Sequence, residues 1–117
     1  MRDDPVYLEH VNESLSLIEG YLIGPEGNLQ RNLFYDDQRT QDAVLRRLET
    51  LSDAASHLSD ALKARHPEIP WRQIGDFRNV LAHGYTDILL DEVWRVINDD
   101  LGALKVVIQA ELQTRGE

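Results

Sequence analysis

Cysteine is absent from all 117 residues, which excludes a disulfide framework and a thiolate metal site. No stretch approaches the roughly 18 apolar residues that a membrane span needs. The opening Met1-Arg2-Asp3-Asp4-Pro5 lacks the basic and apolar pattern of a signal peptide, so a soluble, cytoplasmic protein without a membrane partner is expected. Alternating strand patterns, internal repeats and low-complexity segments are missing too. Basic charge is scarce: 12 Lys and Arg stand against 21 Asp and Glu, a net charge of −9. General nucleic-acid binders carry a basic face, because phosphate neutralisation supplies much of their affinity. Any RNA contact must therefore be local. The local exception is the stretch 62–85, where Lys63, Arg65, Arg72 and Arg78 meet only Glu68 and Asp76. The remaining acidic surface suits a basic partner.

What is present is helical periodicity. Asp4-Pro5 predicts a helix over about 5–23, with Asp4 as cap and proline at the first helical position. Val11, Leu15, Ile18 and Leu22 form its apolar stripe. Gly24-Pro25-Glu26-Gly27-Asn28 ends it. A loop with a short irregular helix follows, in which Phe34 and Tyr35 can plug the end of the core and Asp36-Asp37 are solvated or capping. Val44, Leu48, Leu51, Ala55, Leu58 and Leu62 then alternate spacings of four and three, predicting one long helix from about Gln38 to Arg65. His66-Pro67-Glu68-Ile69-Pro70 stops it, because a residue before proline avoids the α region. A third helix opens at Pro70-Trp71, turns Ile74, Phe77 and Leu81 inward, and ends at Gly84. The last begins near 89–91, with Asp91 and Glu92 beside the positive end of the helix dipole. Trp94, Ile97, Leu101, Leu104 and Ile108 make its core stripe. Gly102 costs about 1 kcal/mol relative to alanine there, which a close helix crossing would explain. The expectation is a single all-α domain over 1–117: an antiparallel bundle of four main helices with a short fifth.

Chemistry concentrates in one stretch, Arg78-Asn79-Val80-Leu81-Ala82-His83-Gly84-Tyr85. Arginine offers a planar fork for phosphate, and histidine moves protons near neutral pH. In this composition Arg-x4-His-x-Tyr is expected by chance only about 0.01 times. On a helix turning 100° per residue, Asn79 and His83 share one face, whereas Arg78 and Tyr85 form a second ridge. Arg78 and His83 then lie about 140° apart. One ideal helix cannot aim both at the same phosphate, so either the helix loosens at His83-Gly84 or two copies related by a two-fold axis share a site. The second arrangement is preferred. Arg78 would then hold the scissile phosphate, and His83 would act as base on a ribose 2′-hydroxyl or as acid for the leaving oxygen. Asn79 would orient His83, and Tyr85 would stack on a base or carry a modification. His10, His57, His66 and His83 are scattered without metal-ligand spacing, so neither a metal nor another cofactor is expected. Each of these side chains also has an ordinary structural reading: solvated Arg78 and Asn79, a dipole partner in His83, and a packing tyrosine.

Arg78-x4-His83-x-Tyr85 resembles the signature of the HepT toxins of the HEPN superfamily. Asp42-Ala43-Val44-Leu45-Arg46-Arg47-Leu48-Glu49 resembles that family's second-helix opening. Pro67-Glu68-Ile69-Pro70-Trp71 resembles its connector, and Asp91-Glu92-Val93-Trp94 its last-helix start. The resemblance implies a homodimeric, metal-independent endoribonuclease acting on tRNA or mRNA, the toxin of a type VII toxin–antitoxin pair. It implies Arg78 and His83 as catalytic residues. It also implies Tyr85 as the acceptor of AMP from an MntA-like nucleotidyltransferase antitoxin; the added phosphate would repel RNA. The family often has Gly-Glu where this chain has Ser52-Asp53, making Asp53 a shorter candidate supporting carboxylate. Gly84 stands where relatives often have an acidic residue. A reading of a different class is a non-catalytic helical dimer that docks and regulates a partner nucleotidyltransferase.

Overall fold

The apolar stripes become the inner faces of helices in the computed structural model, which describes residues 3–81 and 87–115. Seven helical segments follow one another there: α1 (Asp4–Leu22), α2 (Arg31–Tyr35), α3 (Gln38–Ser56), α4 (Asp60–Ala64), α5 (Trp71–Leu81), α6 (Asp87–Asp99) and α7 (Leu101–Arg115). Among the described residues no strand forms beyond an isolated bridge between Ile23 and Leu29. The fold is an all-α, antiparallel bundle of helices. No helix among the described residues is long and apolar enough to cross a membrane.

The order in space is α5, α3, α1, α7, with α3 and α1 central; α2 lies across the ends of α1 and α3, and α6 packs on α2 and α7. Leu8, Val11, Leu15, Ile18 and Leu22 of α1 meet Val44, Leu48, Leu51 and Ala55 of α3, all of them buried. Each of these leucines, isoleucines and valines contributes about 1.5–3 kcal/mol by leaving water, so these stripes hold the bundle. Phe34 is fully buried and stacks on Trp94 with ring centroids 6.0 Å apart. The Tyr35 hydroxyl donates to Asp91 Oδ1 at 2.5 Å, closing the core as expected of this pair.

Four expectations need correction. The long helix predicted to Arg65 breaks at 57–59. The turn closes with Leu58 N–H to the Ala55 carbonyl at 3.2 Å, and Ser59 caps α4 by accepting from Leu62 N–H at 3.2 Å. Leu58 and Leu62 still face the core, so the apolar pattern runs through a corner it cannot reveal. Asp4 is not the cap of α1. It is the first helical residue, 1 % exposed, and its carboxylate accepts from the Ser59 N–H at 2.8 Å and hydroxyl at 2.6 Å. The last helix begins at Asp87 and bends at Asp100, since α6 packs on α2 whereas α7 packs on α1. Gly102 makes no close crossing among the described residues: a β-carbon there would meet none of their atoms within 4 Å outside its own helix backbone.

Candidate active site

The connector after α4 aims α5. The Trp71 N–H donates to the Ile69 carbonyl at 2.9 Å, and the Trp71 indole donates to the His66 carbonyl at 2.9 Å. Proline at 70 lets the helix start at the next residue. Ile74, Phe77 and Leu81 face the core as expected, at 4, 6 and 9 % exposure. With that face fixed, one helical step of 100° carries Arg78 to the flank beside α3, and a second carries Asn79 outward. Both side chains are exposed.

The two antiparallel helices are in register at this point. Arg78 Nη1 donates to Asp53 Oδ1 at 2.8 Å, from the last turn of α5 to the last turn of α3. The Arg78 side chain is 50 % exposed and that of Asp53 52 %. Such a pair is worth about 0.2–1 kcal/mol against water and salt. It orients the guanidinium without neutralising it irreversibly. One of five N–H donors is used, and Arg78 has no other acceptor among the described residues. A phosphate can therefore take the remaining fork while Asp53 steadies the other edge. The shorter carboxylate at Asp53 is long enough for this contact.

Two shallow clefts flank Arg78. One is lined by Arg46, Glu49, Thr50 and Asp53, with two cations facing two carboxylates and Arg46 paired to Glu49 at 3.6 Å. The other is lined by Ser56, Lys63, Trp71, Arg72, Gly75 and Asp76. Arg78 lines both. Arg65 does not join them: it donates to Glu111 at 2.8 and 3.3 Å, at the opposite side of α4.

Of the predicted site, the structure brings Arg78 and Asp53 together and places Asn79 on the outer face of the same helix. His83 and Tyr85, like Gly84, lie outside the described residues. Two other histidines serve the scaffold. His57 stacks on Tyr7 with centroids 5.0 Å apart, and His66 Nε2 meets Glu111 at 2.7 Å. Among the described residues no cluster of histidine and carboxylate could hold a metal ion.

Perturbed carboxyls also belong to the scaffold. The Asp4 pKa is lowered overall: burial is the largest single influence and raises it, and hydrogen bonds from the Ser59 hydroxyl and N–H are among the interactions that together bring it down. Glu111 is lowered chiefly by its hydrogen bond from Arg65, against burial and with help from His66. Arg115 reaches both carboxylates, at 3.5 Å and 3.9 Å. Asp4, Ser59, Glu111 and Arg115 thus staple the start of α1, the α3–α4 corner and the end of α7. Sequence reading missed Lys63 and Arg72 as neighbours of Arg78. The only available signal was their place in the basic stretch, since the α3–α5 register is not encoded locally.

Comparison with known proteins adds an independent line. A family model described as ribonuclease HepT-like matches residues 11–111. A protein named probable ribonuclease HepT from Thermococcus cleftensis is 33 % identical over 99 residues, covering 85 % of this chain and 86 % of that one. A Methanocaldococcus jannaschii protein named for gamma-glutamylcyclotransferase and a candidate RNase is 31 % identical over 104 residues, covering 89 % of this chain but 45 % of that one. A candidate RNase of Caldanaerobacter subterraneus subsp. tengcongensis is 25 % identical over 113 residues, 97 % of each chain. No solved structure gives a significant match.

Proposed function

The chain belongs to the HepT-like ribonuclease family and is an endoribonuclease of the HEPN kind, and from that premise we propose that it cleaves RNA at a site shared between two copies. The observation that carries this is Arg78, held by Asp53 at 2.8 Å yet half exposed, five residues before His83. Arg78 binds the non-bridging oxygens of the scissile phosphate and stabilises the charge that builds on them. The ribose 2′-oxygen attacks phosphorus as the bond to the 5′-oxygen breaks, leaving a 2′,3′-cyclic phosphate and a 5′-hydroxyl. His83 takes the 2′-hydroxyl proton or supplies the proton to the 5′-oxygen, and solvent completes the other transfer. Asn79, one turn before His83, orients the imidazole. The 140° between Arg78 and His83 on an ideal helix favours their coming from different protomers.

In this reading the protein is the toxin of a type VII pair, acting on tRNA or mRNA. An MntA-like nucleotidyltransferase antitoxin neutralises it. The Tyr85 hydroxyl attacks the α-phosphorus of ATP, losing its proton and releasing pyrophosphate. The resulting AMP-tyrosine puts negative charge and bulk beside Arg78, repelling the RNA backbone.

Complementation tests the shared site. Arg78→Ala and His83→Ala proteins should each lose at least 100-fold in RNA cleavage, with the lost product carrying a 2′,3′-cyclic phosphate. Mixed and allowed to exchange subunits, they should regain about a quarter of wild-type activity, because half the dimers then hold one intact composite site of two. No regain in verified mixed dimers would place Arg78 and His83 in a single chain. A wild type that leaves RNA intact would instead favour a non-catalytic dimer docking a nucleotidyltransferase. For the switch, intact mass after incubation with the partner enzyme and ATP should rise by AMP units in wild type and stay constant in Tyr85→Phe.

A further inference from the structure

The cleft on the Lys63 side of Arg78 differs from its neighbour in charge, in shape and in what its cations are bonded to. Three cations, Lys63, Arg72 and Arg78, line it against one carboxylate, Asp76, in a chain whose net charge is −9. Its volume is about 350 Å3. The cleft on the other side carries two cations against two carboxylates. Lys63 Nζ donates to the Ser56 carbonyl at 3.3 Å, a neutral acceptor that fixes the ammonium over the cleft without cancelling its charge. Arg72 and Asp76 approach only to 4.0 Å, with side chains 91 and 70 % exposed, a pairing that water and salt reduce to almost nothing.

The walls fit a nucleotide strand. Trp71 is half-buried, and the bond from its indole N–H to the His66 carbonyl holds the ring in place along one side. Gly75 forms part of the floor. A β-carbon there would sit 3.5 Å from Ser56 Cβ, so any longer side chain would start to fill the space. Arg72 and Arg78 are six residues apart on α5, about 9 Å along the helix axis. They also lie about 120° apart around it, but both side chains line this cleft, so they can meet different phosphates of one strand. A cationic groove with a fixed aromatic wall is the combination by which single-stranded nucleic acid is held without sequence preference.

We propose that this cleft is a second phosphate subsite, in which Lys63 and Arg72 bind the RNA strand beside the phosphate held by Arg78, with Trp71 as a surface for a base. The strand leaves the reaction centre toward α4, because the opposite cleft offers as much negative as positive charge. This rests on the ribonuclease reading above. It explains how a strongly acidic protein can engage RNA: the favourable field is confined to one groove that ends at the reacting phosphate.

The test compares Lys63→Gln/Arg72→Gln with a charge-matched control, Arg31→Gln/Arg39→Gln, one position on α2 and the other at the start of α3, the latter roughly 25 Å along α3 from Ser56. Folding of each is checked by circular dichroism and melting. Binding is read by fluorescence anisotropy on a single-stranded 2′-O-methyl RNA hexanucleotide, which cannot be cleaved. The groove variant should bind about tenfold more weakly than wild type and the control within twofold. The slope of log affinity against log salt should shrink by about 1.4, two phosphate contacts at roughly 0.7 each. In cleavage, KM for an RNA hexanucleotide should rise about tenfold more in the groove variant than KM for a dinucleotide too short to fill the cleft. Lys63→Arg/Arg72→Lys should restore both. Equal affinities for the groove and control variants, or equal losses on the two substrates, would overturn the proposal. If wild type cleaves neither substrate the ribonuclease reading fails on its own, and the anisotropy series still decides the groove.

Discussion

Replacing Asp53 separates two things it does to Arg78. Asp53→Ala removes a carboxylate whose oxygen lies 2.8 Å from the guanidinium. A phosphate on the far edge of that guanidinium would sit about 6 Å from the carboxylate, where two like charges repel by about 0.7 kcal/mol at the dielectric of water. The water value applies because both side chains are about half exposed. Loss of Asp53 should therefore tighten RNA binding roughly threefold. It also releases Arg78 into about three rotamers, costing about 0.6 kcal/mol of order that the transition state needs and slowing turnover roughly threefold. Both kcat and KM should fall, leaving kcat/KM nearly constant. Asp53→Asn keeps an oxygen for the Arg78 hydrogen bond but not the charge, so KM should fall while kcat stays close to wild type. Steady-state cleavage of a fluorogenic RNA at 0.15 and about 0.5 M salt reads the two effects, and the KM change should shrink at the higher salt. The melting temperature should hardly move, since the pair contributes at most about 1 kcal/mol. An Asp53→Ala protein with unchanged kcat and raised KM would refute this account of the pair.

Asp4→Ala strips the Ser59 N–H and hydroxyl of their acceptor at a site 1 % exposed; we expect about 2–3 kcal/mol lost in denaturant unfolding, against a negligible change for Asp3→Ala. The Asp4 and Glu111 carboxyls titrate below their ordinary 3.8 and 4.5 when folded. The unfolded chain then binds more protons in acid, so this stability is full above about pH 5 and lost as pH falls through the lowered values. Melting curves from pH 7 to 3 should show the decline, and Asp4→Asn/Glu111→Gln should flatten it; an undiminished slope would contradict the assignment. Gly102→Ala adds a β-carbon that meets nothing within 4 Å, so thermal stability should rise by up to about 1 kcal/mol. A fall would show that another molecule covers that face in solution. Tyr35→Phe removes the hydroxyl that donates to Asp91 at 2.5 Å and should cost about 1 kcal/mol in the same melts, with little effect on RNA cleavage.

The candidate site was legible as residue types and only half legible as geometry. Arg78 announced itself because arginine, amide, histidine and tyrosine crowd a short stretch, and the inward Ile74, Phe77 and Leu81 already implied that Arg78 would sit on a flank. Which neighbour it would meet depended on the sliding position of α5 along α3. That position is set by many side chains at once, among them Gly75 against Ser56 and the Trp71 anchor to His66. The same holds for Lys63 and Arg72, which looked like part of an undifferentiated basic stretch until Arg65 turned away to Glu111.

Local periodicity determined the helices, their inward faces and the all-α class, because apolar spacing of three and four is a property of neighbours in the chain. Residue types, not periodicity, marked 78–85 as the candidate site. Periodicity could not see the corner at 57–59, since Leu58 and Leu62 stay buried on both sides of the break, nor the bend at Asp100 where the packing partner changes from α2 to α1. Asp4, read as a helix cap, proved to be a staple to Ser59, 55 residues away. Contacts between elements decided each of these, together with the pairing of Arg78 with Asp53, because long-range register is fixed only when several faces are buried together.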